Sequence, residues 1–164
     1  MPYEFTLHRE SIKRKFAVYV VIAVGERDTR LYVGKTGDNN DGGNPVISRC
    51  GNHFSYNEIH SQIRNKLEDH EDREYTYIFE HFDDYHEEKS ARRVCIDRIN
   101  EMERWLNEEI QVLVGSKVNV KLLNPYRGVG YISPTEKTKR KDFRTTQCER
   151  KIKAMTIAVG AKCG

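Results

Sequence analysis

Apolar and polar residues alternate along this chain in a way that marks most of its elements. Phe16 to Val24 is an unbroken run of nine apolar or aromatic residues. Such a run without polar alternation predicts a strand buried on both faces. Gly25-Glu26-Arg27-Asp28 is a turn signal, and Leu31-Tyr32-Val33-Gly34 after it predicts an antiparallel partner. Residues 36–45 are loop by every turn criterion, with Pro45 or Val46 opening a helix. Ile59, Ile63 and Leu67, spaced by four, predict an amphipathic helix over 58–70. The aromatic, β-branched stretch Tyr75 to Phe82 predicts a third strand. Ala91, Cys95, Ile99, Met102, Leu106, Ile110 and Leu113 then form one stripe of a long helix, about 84–113, ending at Gly115.

Outside these segments the pattern is weaker. Tyr3 to Leu7 reads as a short strand, Val118 to Leu123 as extended, 124–130 as loop, and 146–158 as a helix. No internal repeat is present. The order predicts an α+β fold, a small three-stranded, mostly antiparallel sheet flanked by helices, with extra helical and C-terminal elements. At 164 residues the chain reads as a single domain, 1–164, long enough to bury a core.

Charge sharpens this picture. Charged residues make up 32% of the chain and mean hydropathy is −0.78, both typical of a water-soluble protein. The nine-residue run is far short of the roughly 20 that a membrane helix needs, and no cleavable leader is evident. Cys50, Cys95, Cys148 and Cys163 form no regular framework and read as free thiols of a reducing, cytoplasmic setting. Net charge is +3, unevenly spread: residues 58–90 hold eleven acids against four bases, and residues 136–153 eight bases against three acids. The basic part would attract a polyanion and the acidic part would repel one.

Several familiar motifs fail on spacing. Gly34-Lys35-Thr36 resembles the end of a phosphate-binding P-loop, but Thr29 stands where that loop needs glycine. Asp38-Asn39-Asn40-Asp41 lacks the acid of a calcium loop, because Arg49 occupies the twelfth position. No two histidines have metal-helix spacing. Glu87-Glu88-Lys89 lies on an acidic helix surface rather than a buried strand end.

One collection does suggest chemistry. Tyr19 and Tyr32 lie on adjacent strands, Lys35 ends the second strand, and Arg49 and His53 share one helix face at i, i+4. Each residue alone is compatible with packing or surface polarity, but together they suit a phosphate.

This arrangement resembles the GIY-YIG nuclease family over residues 16–126. Ala17-Val18-Tyr19 stands for the first signature, with Ala-Val in place of Gly-Ile, and Tyr32-Val33-Gly34 for the second. The resemblance implies catalytic roles for Tyr19, Tyr32, Lys35, Arg49 and His53, the last as in restriction-type members. It implies a metal-ligating glutamate on a later helix, which fits Glu103 in Met102-Glu103-Arg104-Trp105-Leu106. Glu109 is the second choice and Glu108 a third, since Glu103 and Asn124 lie farther apart than is usual. A closing asparagine matches Asn124.

The chemistry is consistent with that likeness. One carboxylate with several waters suits Mg²⁺, or Mn²⁺ in its place. Arg49 can clamp two phosphate oxygens. Tyr19, its proton drawn off by His53 or Lys35, would orient or deprotonate the attacking water. The expected function is a Mg²⁺-dependent endonuclease acting on double-stranded DNA, restriction-type by preference, with repair, mobile-element and toxin roles open. A basic extension, 127–164, would grip the backbone through Arg127, Lys139, Arg140 and Lys141, beside Asn124, Tyr126 and Tyr131. The helical piece at 58–70 and the loop at 37–46 are additions suited to base readout. A homodimer would mirror palindromic sites. The alternatives are a nucleic-acid-binding module that does not cleave and a protein-interaction domain.

Overall fold

The computed structural model of the protein describes residues 1–36, 43–128 and 132–163. Asp38, Asn39, Asn40, Asp41 and Tyr131 lie outside the described residues. The apolar run forms β1 (Lys15–Val24), which pairs antiparallel with β2 (Thr29–Lys35). On its other side β1 pairs antiparallel with β3 (Glu74–Asp84). The fold is α+β, but the sheet has four strands and is mixed. A short β4 (Val120–Leu122) adds parallel to β2, in the order β3-β1-β2-β4. Asn119, in the left-handed region at φ 60°, turns the chain into β4, and its carbonyl accepts from Thr29 N–H at 2.9 Å. Asparagine tolerates that backbone better than most residues. Three residues are too few for alternation to mark a strand, and the sequence predicts only an extended segment there.

The alternation of β1 builds two cores. Phe16, Val18, Val20 and Ile22 pack against α3 (Lys89–Gly115) and α5 (Thr146–Lys162). Tyr19, Val21 and Ala23 pack on the opposite face with Ile63, Leu67 and Phe54. Those residues come from α1 (Val46–Phe54), α2 (Gln62–Lys66) and the segment after it.

The helix expected over 58–70 is only five residues long. The side-chain oxygen of Asn57 accepts from the N–H groups of Ile59 and His60, closing a turn where a helix would otherwise begin. Ile59 is left exposed, while Ile63 and Leu67 are buried. Tyr3 to Leu7 forms no strand and is exposed. The long helix starts at Lys89, several residues later than the expected 84 and just ahead of its apolar stripe. A further helix, α4 (Pro134–Arg140), is one the sequence pattern did not reveal. Ser133 caps it by accepting from Glu136 N–H, and Pro134 sits in its first turn. All four cysteines are free. Among the described residues no helix is long and apolar enough to cross a membrane.

The C-terminal extension is locked to α3 through charge. Glu101 is fully buried, and its carboxylate accepts from Arg144 Nη2 at 3.0 Å and pairs with Arg104 at 3.4 Å. Arg144 also reaches Glu108 at 3.1 Å. A carboxylate buried this deeply needs such partners.

Candidate active site

Tyr19 enters the site because of what lies opposite it. Its register partner on β2 is Gly34, and a Cβ built there would fall 2.4 Å from both Cζ and the hydroxyl oxygen of Tyr19. The ring therefore crosses β2 over a position that only glycine leaves open. Tyr32 projects from the same sheet face, because Tyr32 pairs with Val21 as Gly34 pairs with Tyr19. His53, one turn on from Arg49 along α1, completes the cluster. Its Nε2 lies 3.0 Å from the Tyr19 hydroxyl, and its ring stands edge-on to Tyr32 with centroids 5.3 Å apart.

The far side of the cluster is Tyr77, on β3. Its hydroxyl lies 2.5 Å from His53 Nδ1, so the imidazole bridges two phenols. Cys50, from α1, lies within interacting reach of the same Tyr77 hydroxyl. Nothing local distinguishes Tyr77 in the sequence from the other aromatic residues of its strand. Only the alternation that aims residues 75, 77 and 79 at one face could have nominated it.

Lys35 and Glu103 meet at the mouth of the site, with Lys35 Nζ 3.2 Å from a Glu103 carboxylate oxygen. Glu103 reaches there from α3, on the opposite face of the sheet. On the β2 edge, β4 pairs with Thr29 to Leu31 only. Beyond that, the Asn124 amide caps the edge, accepting from Val33 N–H at 3.0 Å and donating to Val33 C=O at 2.7 Å. Asn107, buried on α3, anchors this turn by donating to Asn124 C=O at 2.8 Å and accepting from Tyr126 N–H at 2.8 Å. Thr36, last of the P-loop-like triplet, is buried with its hydroxyl tied to the Lys15 carbonyl and the Ala17 N–H.

Tyr19, Tyr32, Lys35, Arg49, His53 and Glu103 all line one cleft of about 220 Å³. Gly34 forms part of its wall, and Asn52, His60 and Gln62 extend it. None of the last three was singled out in the sequence. Glu109 is elsewhere, within electrostatic reach of Lys153 on α5, and Glu108 is held by Arg144. Asn124, Arg127, Lys139, Arg140 and Lys141 do not line the cleft. Arg140 is paired with Asp97 and Glu136, both at 3.5 Å.

Electrostatics divide the cluster. Burial, and secondarily the Arg49 guanidinium, pulls His53 down to about 4, so its ring is neutral at neutral pH. Burial, then the Glu103 carboxylate, raises the Tyr32 phenol, with Arg49 opposing. Burial raises Tyr77 strongly and raises the Cys50 thiol as well, so both keep their protons. Among the described residues Glu103 is the one carboxylate lining the cleft, and no group of three metal-ligating side chains is present. That donor set fits a hard, hydrated cation such as Mg²⁺ and does not fit a closed zinc site.

Matched against protein-family models, curated proteins and solved structures, the chain finds no counterpart in any of the three.

Proposed function

We propose that the protein is a Mg²⁺- or Mn²⁺-dependent endonuclease that hydrolyses phosphodiester bonds in double-stranded DNA, as the GIY-YIG nuclease family does. The observation that carries this reading is the convergence of Tyr19, Tyr32, Lys35, Arg49, His53 and Glu103 on one small cleft. These residues come from two strands and two helices far apart in sequence, and packing alone gives no reason for them to meet.

In this reading Arg49 binds two oxygens of the scissile phosphate through its planar fork. The phenol oxygen of Tyr19 orients the attacking water and, when ionised, takes its proton. Lys35 and Arg49, as cations sharing the cleft, favour the ionised form. Glu103 would hold the metal, which when bound neutralises charge on the phosphate and assists the leaving oxygen. Tyr32 walls the cleft beside the reacting group and fixes the imidazole ring edge-on. The histidine four residues after the arginine favours a restriction-type role.

The test is conversion of supercoiled plasmid to nicked or linear form, with Mg²⁺ and with chelator, by wild type and Glu103→Gln. The reading expects metal-dependent cleavage by wild type and none by the variant, with DNA binding kept by both. Salt-dependent DNA binding with no cleavage in any divalent cation would make the protein a binding module instead.

A further inference from the structure

From the chain of contacts that runs Cys50, Tyr77, His53, Tyr19, we infer that Tyr77 fixes the tautomer of His53, making the imidazole a hydrogen-bond donor to Tyr19 and not the base that deprotonates it. This rests on the nuclease reading for its catalytic consequence, but not for its geometry.

Three elements meet at His53: Tyr19 from β1, Tyr32 from β2 and Tyr77 from β3, with Arg49 on its own helix. His53 is 3% exposed and neutral, so its ring carries one N–H and one bare nitrogen. The question is which phenol receives the N–H. Tyr77 can donate its O–H either to His53 Nδ1 or to the Cys50 sulfur. Imidazole nitrogen is a strong acceptor and thiol sulfur a weak one, so the O–H goes to Nδ1. Burial keeps the thiol protonated, so its S–H is a donor the Tyr77 oxygen can accept once the phenol proton is committed to Nδ1. The single imidazole proton is then on Nε2, where it is donated to the Tyr19 oxygen.

Both ring nitrogens are within hydrogen-bond distance of a phenol, Nδ1 at 2.5 Å from Tyr77 and Nε2 at 3.0 Å from Tyr19. A donor aimed at the Tyr19 oxygen stabilises negative charge there and holds one lone pair, so the phenol proton points away from His53. Its acceptor in the reaction is therefore another group of the cleft or a water. Tyr77 touches neither substrate nor reacting atoms and is a positioning residue.

The experiment is ¹⁵N NMR of the histidine rings in the full chain, paired with single-turnover cleavage of plasmid DNA. In wild type at pH 7 the His53 ring should show a protonated Nε2 and a bare Nδ1. Tyr77→Phe should shift it towards Nδ1–H while keeping the fold, and lower the rate about tenfold, the equivalent of one hydrogen bond, with little change in KM. His53→Gln retains a donor at the Nε2 position but no base, so its rate should stay within about tenfold of wild type. His53→Leu should lose much more. An Nδ1–H ring in wild type, or His53→Gln as inactive as His53→Leu, would overturn the assignment. The NMR result is independent of cleavage. A protein that shows the Nε2–H ring but never cuts DNA would refute the nuclease reading and leave the tautomer standing.

Discussion

The two faces of β1 are made by the same ten residues and do different work. Phe16, Val18, Val20 and Ile22 face α3 and α5, and nearly all that surrounds them is aliphatic, aromatic or sulfur-bearing. Ala17, Tyr19, Val21 and Ala23 face α1 and α2, where hydroxyls, an imidazole and cations gather at one end. The first face is generic packing, and many substitutions of equal volume would serve it. The second is specific: Tyr19 needs a glycine at position 34 and His53 at hydrogen-bond distance, in a cleft that Glu103 also lines. A strand packed on one side thus holds the Tyr19 phenol steady on the other.

Substitutions on the two faces should separate cleanly into effects on rate and effects on stability. The largest rate effect belongs to Glu103→Gln, which removes the ligand charge and keeps the shape. Cleavage is expected to fall on the order of 10³-fold while DNA binding is unchanged, measured by single-turnover cleavage beside a binding isotherm. Full activity in Glu103→Gln would detach the α3 carboxylate from the site.

On the packing face, Phe16→Ala should destabilise by about 3–5 kcal/mol in chemical denaturation. Its cleavage rate per folded molecule should stay near wild type. A large rate defect at unchanged stability would show that the two faces are not independent.

Acid should act through the functional face. His53 is held neutral with its value lowered to about 4, against about 6.5 in the unfolded chain. The unfolded state therefore binds the proton first. The stabilising contribution is complete above about pH 6.5 and is lost as pH falls towards 4. The total is about 3 kcal/mol. Urea unfolding across that range should show the loss in wild type and a flatter dependence in His53→Gln.

How much of this was legible beforehand depends on the range of the contact. Tyr19, Tyr32, Arg49 and His53 stood out because strand alternation and helical spacing are local rules that place side chains on a face. The same rules could not choose between Glu103 and Glu109, both bordering the apolar stripe of α3. Of the two, only Glu103 lines the cleft, a placement that depends on how α3 packs against the sheet. Tyr77 was hidden for a similar reason, since its partner is 24 residues away in sequence. The basic extension shows the limit of a charge count. Its charge suggested a DNA grip, yet Arg140 and Arg144 are turned inward onto acids of α3, which a charge count cannot reveal.

That last point gives the smallest predicted effect. Neutralising Lys139, Arg140 and Lys141 together should cost about 1 kcal/mol of stability through the lost Arg140 pairs. It should reduce the salt slope of DNA binding by no more than about 2, since two of the three cations are not ion-paired into α3. A slope change near 3 would mean that Arg140 leaves its acids to meet phosphate.

Tyr19 packs its ring into the core and lines the cleft while only 2% exposed. Tyr19→Phe keeps the ring and removes one oxygen. Single-turnover cleavage at saturating DNA, beside a thermal melt, separates the two roles. The predicted result is a rate lower by about 10²-fold or more with stability within about 1 kcal/mol of wild type. A rate within a few-fold of wild type would contradict the account and leave Tyr19 as a packing residue.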